Sequence, residues 1–255
     1  MAAELYHSEN VAYLLERIAE RTPYIRPASF SFGEQKTHNS RFQGVQVGEL
    51  SSPALIDYLR GRGINIELAK RECKELRYEY EGKTYFVVGF PNISGGYELR
   101  NRYFKGCIAP KEITHIRQQS EQRAVCYLFE GFMDYLSFLT IRVNNNPDEP
   151  RTGEQDYMVL NSVTNLSKAE QLLRPYSRIG CFLDNDQAGQ RAYENMKRMF
   201  GNWLQDMSHH YAGHKDLNDY LCHRNQAKPA EKKSQVQSVR RMHNPPPKKK
   251  KGLGL

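Results

Sequence analysis

The chain has 255 residues, 39% apolar and 26% charged, enough to bury a good core in one larger or two small domains. No stretch approaches about 18 uninterrupted apolar residues, and the opening Met-Ala-Ala-Glu-Leu-Tyr-His-Ser-Glu-Asn has no basic region followed by an apolar one. The expectation is a cytoplasmic protein with neither membrane span nor secretory signal. The net charge of +8 is unevenly placed: nine of the 37 basic residues and one of the 29 acids lie from Lys228 to Leu255, which leaves 28 of each in 1–227. The bulk charge therefore demonstrates no basic nucleic-acid face on the body of the protein. Five scattered cysteines without a Cys-x-x-Cys pair exclude a zinc ribbon or a disulfide framework as the organising device.

In chain order, Ser8 and the helical spacing of Val11, Leu14, Leu15 and Ile18 predict a helix over 8–20, inside an entry segment of residues 1–50. Ser51-Ser52-Pro53 reads as a cap with proline in the first turn, opening a helix through Leu55, Ile56 and Leu59 that ends at Gly61-Arg62-Gly63. A second helix runs through Ile66, Ala69 and Cys73. Tyr78 to Pro91, with Glu81-Gly82-Lys83 as a turn, and Tyr97 to Phe104 predict an antiparallel meander. Residues 51–120 thus form an α+β subdomain, with a boundary expected near 118–123.

Beyond it the pattern changes to strand and helix in alternation. Ala124 to Phe129 is an apolar run of the kind buried on both faces of a parallel sheet, and it leads into Glu130, Gly131 and a helix over 133–142 that carries Asp134 in its first turn. Asp156 to Val163 predicts a strand, and Ser167-Lys-Ala-Glu170 a capping box for the next helix. The strand at 178–184 precedes a helix from about Gln187 with Ala188, Ala192, Met196 and Phe200 on one face. A weaker strand is expected near His209–Tyr211, ahead of Asp216-Leu-Asn218-Asp219. Right-handed βαβ units give residues 121–224 a small, mostly parallel α/β sheet. Residues 225–255, rich in Lys, Gln, Ser and Pro, read as a disordered basic tail.

Acids recur at the strand ends: Glu130 with Asp134, Asp184 with Asp186, and Asp216 with Asn218 and Asp219. Open α/β sheets bind ligands at the carboxyl ends of their strands, and carboxylates gathered there repel unless a cation joins them. Hard oxygen donors favour Mg²⁺ or Mn²⁺. The plainer reading of any one pair is a helix cap, with Asp184 or Asp186 capping the helix from Gln187. Three histidines, His209, His210 and His214, lack an evident fourth ligand and read as exposed polar residues, so no zinc is expected. No Gly-x-x-x-x-Gly-Lys-Ser/Thr loop occurs, which argues against ATP-driven translocation.

Glu130-Gly-Phe-Met-Asp134-Tyr-Leu-Ser137 and Phe182-Leu-Asp184-Asn-Asp186-Gln-Ala-Gly189 resemble the two signature motifs of the Toprim domain, and Lys215-Asp216-Leu-Asn218-Asp219-Tyr220-Leu221 is similar to the third acidic segment of its primase-type members. Tyr58-Leu-Arg-Gly-Arg-Gly-Ile64 and Phe90-Pro91-Asn92 with Gly95 to Arg102 resemble the amino-terminal half of a bacterial primase core, in the shortened form carried by mobile elements. The resemblance implies acid/base or metal-linked catalysis by Glu130, and divalent metal held by Glu130, Asp134, Asp184, Asp186 and Asp216. Asn218 stands where primases often have an aspartate. Residues 1–50 contain no cysteine for the zinc ribbon that reads a primase template.

Basic residues flank these acids in two runs, Arg60, Arg62, Lys70, Arg71, Lys74 and Arg77, then Arg100, Arg102, Lys105, Lys111, Arg117 and Arg123. With Tyr97, Tyr103 and Phe104 interleaved, they are candidates for tracking a single strand. The resemblance singles out Arg100, Arg102 and Lys105 as nucleic-acid or nucleotide ligands. The expected activity is a primase-like, Mg²⁺-dependent nucleotidyltransferase in replication or transfer of a mobile element. Its expected partners are single-stranded DNA, nucleoside triphosphates, and a helicase or separate zinc-ribbon protein. A metal-dependent Toprim nuclease and a non-catalytic DNA-binding accessory protein remain open alternatives.

Overall fold

A computed structural model describes residues 42–118 and 122–225. The helix expected over 8–20 and the disorder expected beyond 225 fall outside the described residues.

The first unit is a five-stranded antiparallel meander in the order β1-β2-β3-β4-β5: β1 (Gln43–Gly48), β2 (Lys74–Tyr80), β3 (Lys83–Pro91), β4 (Tyr97–Arg100) and β5 (Lys105–Ile108). The β2–β3 hairpin closes through two residues, Glu81 (φ 50°) and Gly82 (φ 71°), both left-handed as a primed turn requires. The single strand expected over Tyr97–Phe104 is instead two strands. Asn101 breaks it: its side-chain oxygen accepts the Tyr103 N–H at 2.8 Å and its own N–H donates to the Phe104 carbonyl, so the backbone turns back.

Between β1 and β2 lie α1 (Pro53–Gly61) and α2 (Ile66–Glu72). Proline does open α1, but the Ser52 hydroxyl does not cap it. That hydroxyl donates to Glu75 Oε1 at 2.6 Å, while the Ser51 and Ser52 N–H groups reach Glu75 Oε2. Asn65 caps α2 by accepting from the Glu67 and Leu68 amides.

The second sheet has the order β10-β9-β7-β8-β6, built from β6 (Thr114–Ile116), β7 (Val125–Phe129), β8 (Asp156–Val159), β9 (Arg178–Phe182) and β10 (Leu204–Asp206). All pairs are parallel except β6 with β8, and β6 joins this sheet from ahead of the 118–123 segment. Its helices are α3 (Phe132–Asn145), α4 (Leu166–Leu173), α5 (Gln187–Phe200) and a last helix, α6, over 217–225. The architecture is thus an α+β unit followed by an α/β unit.

Several local expectations are corrected. The fifth strand of the sheet is Leu204–Asp206, whereas 208–211 is a 3₁₀ turn in which the buried Tyr211 hydroxyl donates to the Leu183 carbonyl. Helix α4 starts at Leu166, so Ser167 and Glu170 lie inside it; Ser162 caps the 3₁₀ turn that leads in, and Glu170 pairs with Arg174. Ala188 is exposed, and Gly189 takes its place on the buried face of α5 with Ala192, Met196 and Phe200.

Strand β7 alternates between two cores. Cys126 and Leu128 join α4 and α5 through Ala169, Leu173, Ala192 and Met196, while Phe129 joins α3, α1 and α2. Helix α3 is the centre of the second cluster, with every residue from Phe132 to Thr140 buried. It lies between the parallel sheet and the helices of the first unit, where Phe90 stacks on Phe132 at 5.1 Å between centroids. A helix enclosed on all sides must be apolar on all sides.

At the far edge, His115 Nε2 is 2.8 Å from the Tyr176 hydroxyl, which donates to Asp156 Oδ2 at 2.9 Å; Asp156 also accepts the Gln118 and Arg123 amides. Burial, assisted by Arg117 and opposed by Asp156, pushes the His115 pKa down to about 4. The unfolded ring titrates near 6.5, so the unfolded chain binds the extra proton between these values and stability falls as pH drops through that window. Urea unfolding of the parent should lose about 2 kcal/mol from this ring between pH 7 and pH 5, relative to His115→Gln. Equal pH slopes for parent and variant would show that folding leaves the titration of this ring unchanged.

Candidate metal centre

Strand β7 leads to β8 on one side and the chain returns to β9 on the other, so the order reverses between β7 and β9. Right-handed crossovers in opposite directions put α3 on one face and α4 with α5 on the other, as the two cores require. The crevice at such a switch point opens at the carboxyl ends of the two strands. Glu130 follows β7 there and Asp184 follows β9. The Glu130 N–H donates to the Phe182 carbonyl at 3.4 Å, and the Asp184 N–H reaches Glu130 Oε2 at 3.4 Å.

Asp134 stands in the first turn of α3, 8% exposed, and its Oδ1 accepts the Asn218 N–H at 3.2 Å. Asp216 caps α6, its Oδ1 accepting the Asp219 N–H at 2.7 Å. Asp186 caps α5 with Oδ1, which takes the Ala188 and Gly189 amides. The capping role foreseen for this pair therefore belongs to Asp186 alone, while Asp184 is left free to face the crevice. Lys215 Nζ lies 3.9 Å from Asp184 Oδ2.

The second and third acidic loops are stitched together by Asn185. Its N–H donates to the Lys215 carbonyl at 2.7 Å and its side-chain amide to the His214 carbonyl at 2.8 Å. Asn218 does comparable work beneath them. It is fully buried, and its amide nitrogen donates to the Arg62 carbonyl and the Ser137 hydroxyl, so its side chain ties α6 to the end of α1 and to α3. Gly189 is required for close approach: a Cβ there would fall 2.1 Å from the Asp184 carbonyl oxygen.

The carboxylates feel one another. Burial raises Asp134 well above the usual carboxylate range, and Asp216 and Asp184 raise it further. Burial, with Glu130 and Asp216, pushes Asp184 up to about 7 against the pull of Lys215. Glu130 is raised by burial and by Asp186, with Lys105 and Lys215 opposing. A set of oxygen donors short of positive charge fits a hard divalent cation. Among the described residues, the one group of three His, Cys, Asp or Glu ligand atoms lying within 4.8 Å of each other is His214, Asp219 and His223, so the acid group is more open than a closed cage. Openness of this kind suits Mg²⁺, which keeps several waters and shares its site with substrate phosphates.

The basic residues divide into two kinds. In the first run, Arg60 pairs with Asp57, Lys70 with Glu67, Arg71 with Glu72, Lys74 with Glu49 and Arg77 with Glu75. Such pairing offsets the charge that would track a phosphate backbone. Among the described residues no ion pair engages Arg100, Arg102 or Lys105. Arg100 and Lys105 face each other across the β4–β5 hairpin, and the Lys105 charge reaches Glu130. Tyr103, at the tip of the same hairpin, is 89% exposed.

The Toprim-like family model matches residues 127–221, which contain the end of β7, all of β9 and all three acidic loops. Residues 127–221 are a Toprim-like domain. A second model, described as a domain of unknown function (DUF8464), matches residues 44–109 of the antiparallel unit. A search of the curated proteins finds no match. Among solved structures, the primase fragment of the bacteriophage T7 primase-helicase protein is 14% identical over 84% of this chain and 82% of its own, with a TM-score of 0.49. The Aquifex aeolicus primase (zinc binding and RNA polymerase domains) is 12% identical over 59% of this chain and 48% of its own, with a TM-score of 0.39. No helix among the described residues is long and apolar enough to cross a membrane.

Two features of the Toprim-like domain escaped the reading of its sequence. Lys215 was visible beside Asp216 but gained no role until the fold set it against Asp184. Gly189 passed as a motif letter, although the contact with the Asp184 carbonyl explains why no side chain fits. Gly189→Ala should therefore lower stability by about 1–3 kcal/mol in thermal or urea unfolding. Gly153→Ala, where a Cβ meets nothing within 4 Å, serves as the control and should stay near the parent.

Proposed function

We propose that this protein is a primase-like nucleotidyltransferase that uses Mg²⁺ or Mn²⁺ to join nucleoside triphosphates on single-stranded DNA. The observation that carries the reading is the convergence of Glu130, Asp134, Asp184 and Asp216 at the switch point, with Lys105 of the antiparallel unit close enough to act on Glu130. A bound divalent cation would supply Lewis-acid stabilisation of the charge that develops in phosphoryl transfer. Asp134, Asp184 and Asp216 would hold it, with the Asp186 oxygen that is not committed to the α5 cap. Glu130, half-buried at the end of β7, would accept a proton from an attacking hydroxyl. Arg100, Arg102 and Lys105 would hold template or triphosphate, and exposed Tyr103 beside them offers a face for base stacking.

The resemblance of the 58–64 and 90–102 segments to a primase core supports polymerisation over hydrolysis by the same acids, and it is also the support for a role in replication or transfer of a mobile element. A cytoplasmic setting and a helicase or separate zinc-ribbon partner belong to the same reading.

Purified protein given a single-stranded template, nucleoside triphosphates and Mg²⁺ or Mn²⁺ should make short oligonucleotides resolvable on a denaturing gel. Glu130→Gln and Asp184→Asn should each reduce product at least about 100-fold. No product from the parent, or parent-like product from both variants, defeats the proposal; shortening of a labelled template would identify a nuclease instead.

Template binding gives a separate measure. Changing Arg100, Arg102 and Lys105 together to alanine should weaken single-stranded DNA binding across all sequences. It should also reduce the slope of log affinity against log salt by about two to three. Fluorescence anisotropy at several salt concentrations reads both, and an unchanged slope would remove these residues from the interface.

A further inference from the structure

We infer that His214, Asp219 and His223 form a second cation site, separate from the acidic crevice and suited to a nitrogen-loving divalent metal of the Zn²⁺ class. The three side chains come from two elements. Gly213, at φ +83°, turns the chain in a left-handed conformation so that His214 follows the 3₁₀ turn, and its N–H donates to the Tyr211 carbonyl. Asp219 and His223 are one turn apart on α6 and so share a face. One ligand atom from each lies within 4.8 Å of the other two.

The finer geometry agrees. His214 Nδ1 is 3.4 Å from Asp219 Oδ2. Donors bound at about 2.0–2.1 Å around a tetrahedral Zn²⁺ stand about 3.3–3.4 Å apart, so this pair already spans one edge of such a site. His223 Nδ1 lies 2.8 Å from the Asp219 carbonyl oxygen. A carbonyl only accepts, so a neutral ring that donates Nδ1–H to it would keep its lone pair on Nε2 for a metal; the same Nδ1 lies 3.3 Å from Asp219 Oδ1. This is how metal-bound imidazoles are usually held by their surroundings. The two imidazole rings are 4.9 Å apart between centroids.

Ligand type separates this site from the crevice. Two imidazoles and one carboxylate favour Zn²⁺ and its neighbours in the first transition row, whereas carboxylate and water favour Mg²⁺. Three protein ligands leave a fourth position, and the side chains of His214 and His223 are 25% and 58% exposed, which gives an ion a way in. His214 also lines an open hollow with Asn185, Gln190, Ser208, His209 and Lys215. A metal here would fasten the 213–216 loop, which carries Lys215 and Asp216, to α6. The site would thus set the position of two groups that face the crevice without itself belonging to it.

The test uses the full chain without an affinity tag, stripped with a chelator. Zn²⁺ is titrated in competition with a chromogenic chelator, and Co²⁺ binding is followed by its visible absorption. The parent should bind Zn²⁺ at a site that millimolar Mg²⁺ does not displace. His223→Gln and His214→Gln should each weaken it by at least the roughly 10–100-fold lost when an outer-shell partner is removed. Asp184→Asn and Cys222→Ser should bind as the parent does, the latter because Cys222 is the thiol next to His223. Far-UV circular dichroism confirms that each variant is folded, and having two histidine variants keeps the test decisive if one is not. Parent-like Zn²⁺ affinity in the folded histidine variants, or loss of the site in Asp184→Asn or Cys222→Ser, would overturn the inference. The readout is independent of product formation, so failure of the proposed polymerase activity leaves it standing.

Discussion

Helix α3 has to be buried on nearly every side, and much of the molecule follows from that requirement. Nine consecutive residues, Phe132 to Thr140, are enclosed between the parallel sheet and the helices of the antiparallel unit. A charged residue in such a segment is costly unless its oxygens are answered. Asp134 is the only one. It sits in the first turn, where backbone amides point outward and where the Asn218 N–H can reach it. The Tyr135 hydroxyl donates to Glu72, while the Ser137 and Thr140 hydroxyls donate back to the Met133 and Leu136 carbonyls and accept from the Asn218 side-chain amide and the Asn65 N–H. The helix that carries one acid of the crevice is thereby tied to α2 and α6.

The electrostatics of the crevice follow from the topology. Reversal of strand order between β7 and β9 brings Glu130 and Asp184 to adjacent strand ends, and Asn185 draws the 214–216 loop in behind them. Glu130, Asp134 and Asp184 are raised by burial and by neighbouring acids, so the group as a whole is short of positive charge. Two lysines from different parts of the chain act against this, Lys215 from the adjacent loop and Lys105 from the other sheet. The antiparallel unit therefore contributes charge to the crevice as well as apolar surface to α3.

Much of this was legible in the residues. The apolar runs of β7 and β9 announced strands covered on both faces, and the acids that follow them announced a strand-end site, because both signals are local. Glu81-Gly82-Lys83 announced a turn for the same reason, although Lys83 pairs with Tyr80 and leaves only two residues in it. What was hidden depended on partners far away in sequence. Strand β10 is three residues long and has one buried side chain, too short for any period to show. Ser167 looked like a cap because the true start of α4 is set by a preceding 3₁₀ turn. The run from Arg60 to Arg77 looked like a basic face because six cations outnumber Glu67, Glu72 and Glu75 within it; the fold adds Asp57 and Glu49 and pairs five of the six. His214 appeared to lack companions since it was grouped with His209 and His210, its neighbours in sequence. Its companions, Asp219 and His223, carried their own local signal in a four-residue helical spacing, but only the Gly213 turn brings His214 to them.

The sharing of α3 has a further consequence, for how this protein can come apart. Phe90 of the first sheet and Phe129 and Tyr157 of the second belong to one continuous apolar cluster that passes through the helix. Neither sheet owns that helix outright. Cutting the chain between them would strip α3 of cover on one side and leave the Leu55, Leu59 and Leu68 side chains of the other fragment without a floor. The two units are successive in sequence yet inseparable in folding, so the chain should melt as one body, and recombination that swapped either unit alone would have to bring a matching helix surface with it.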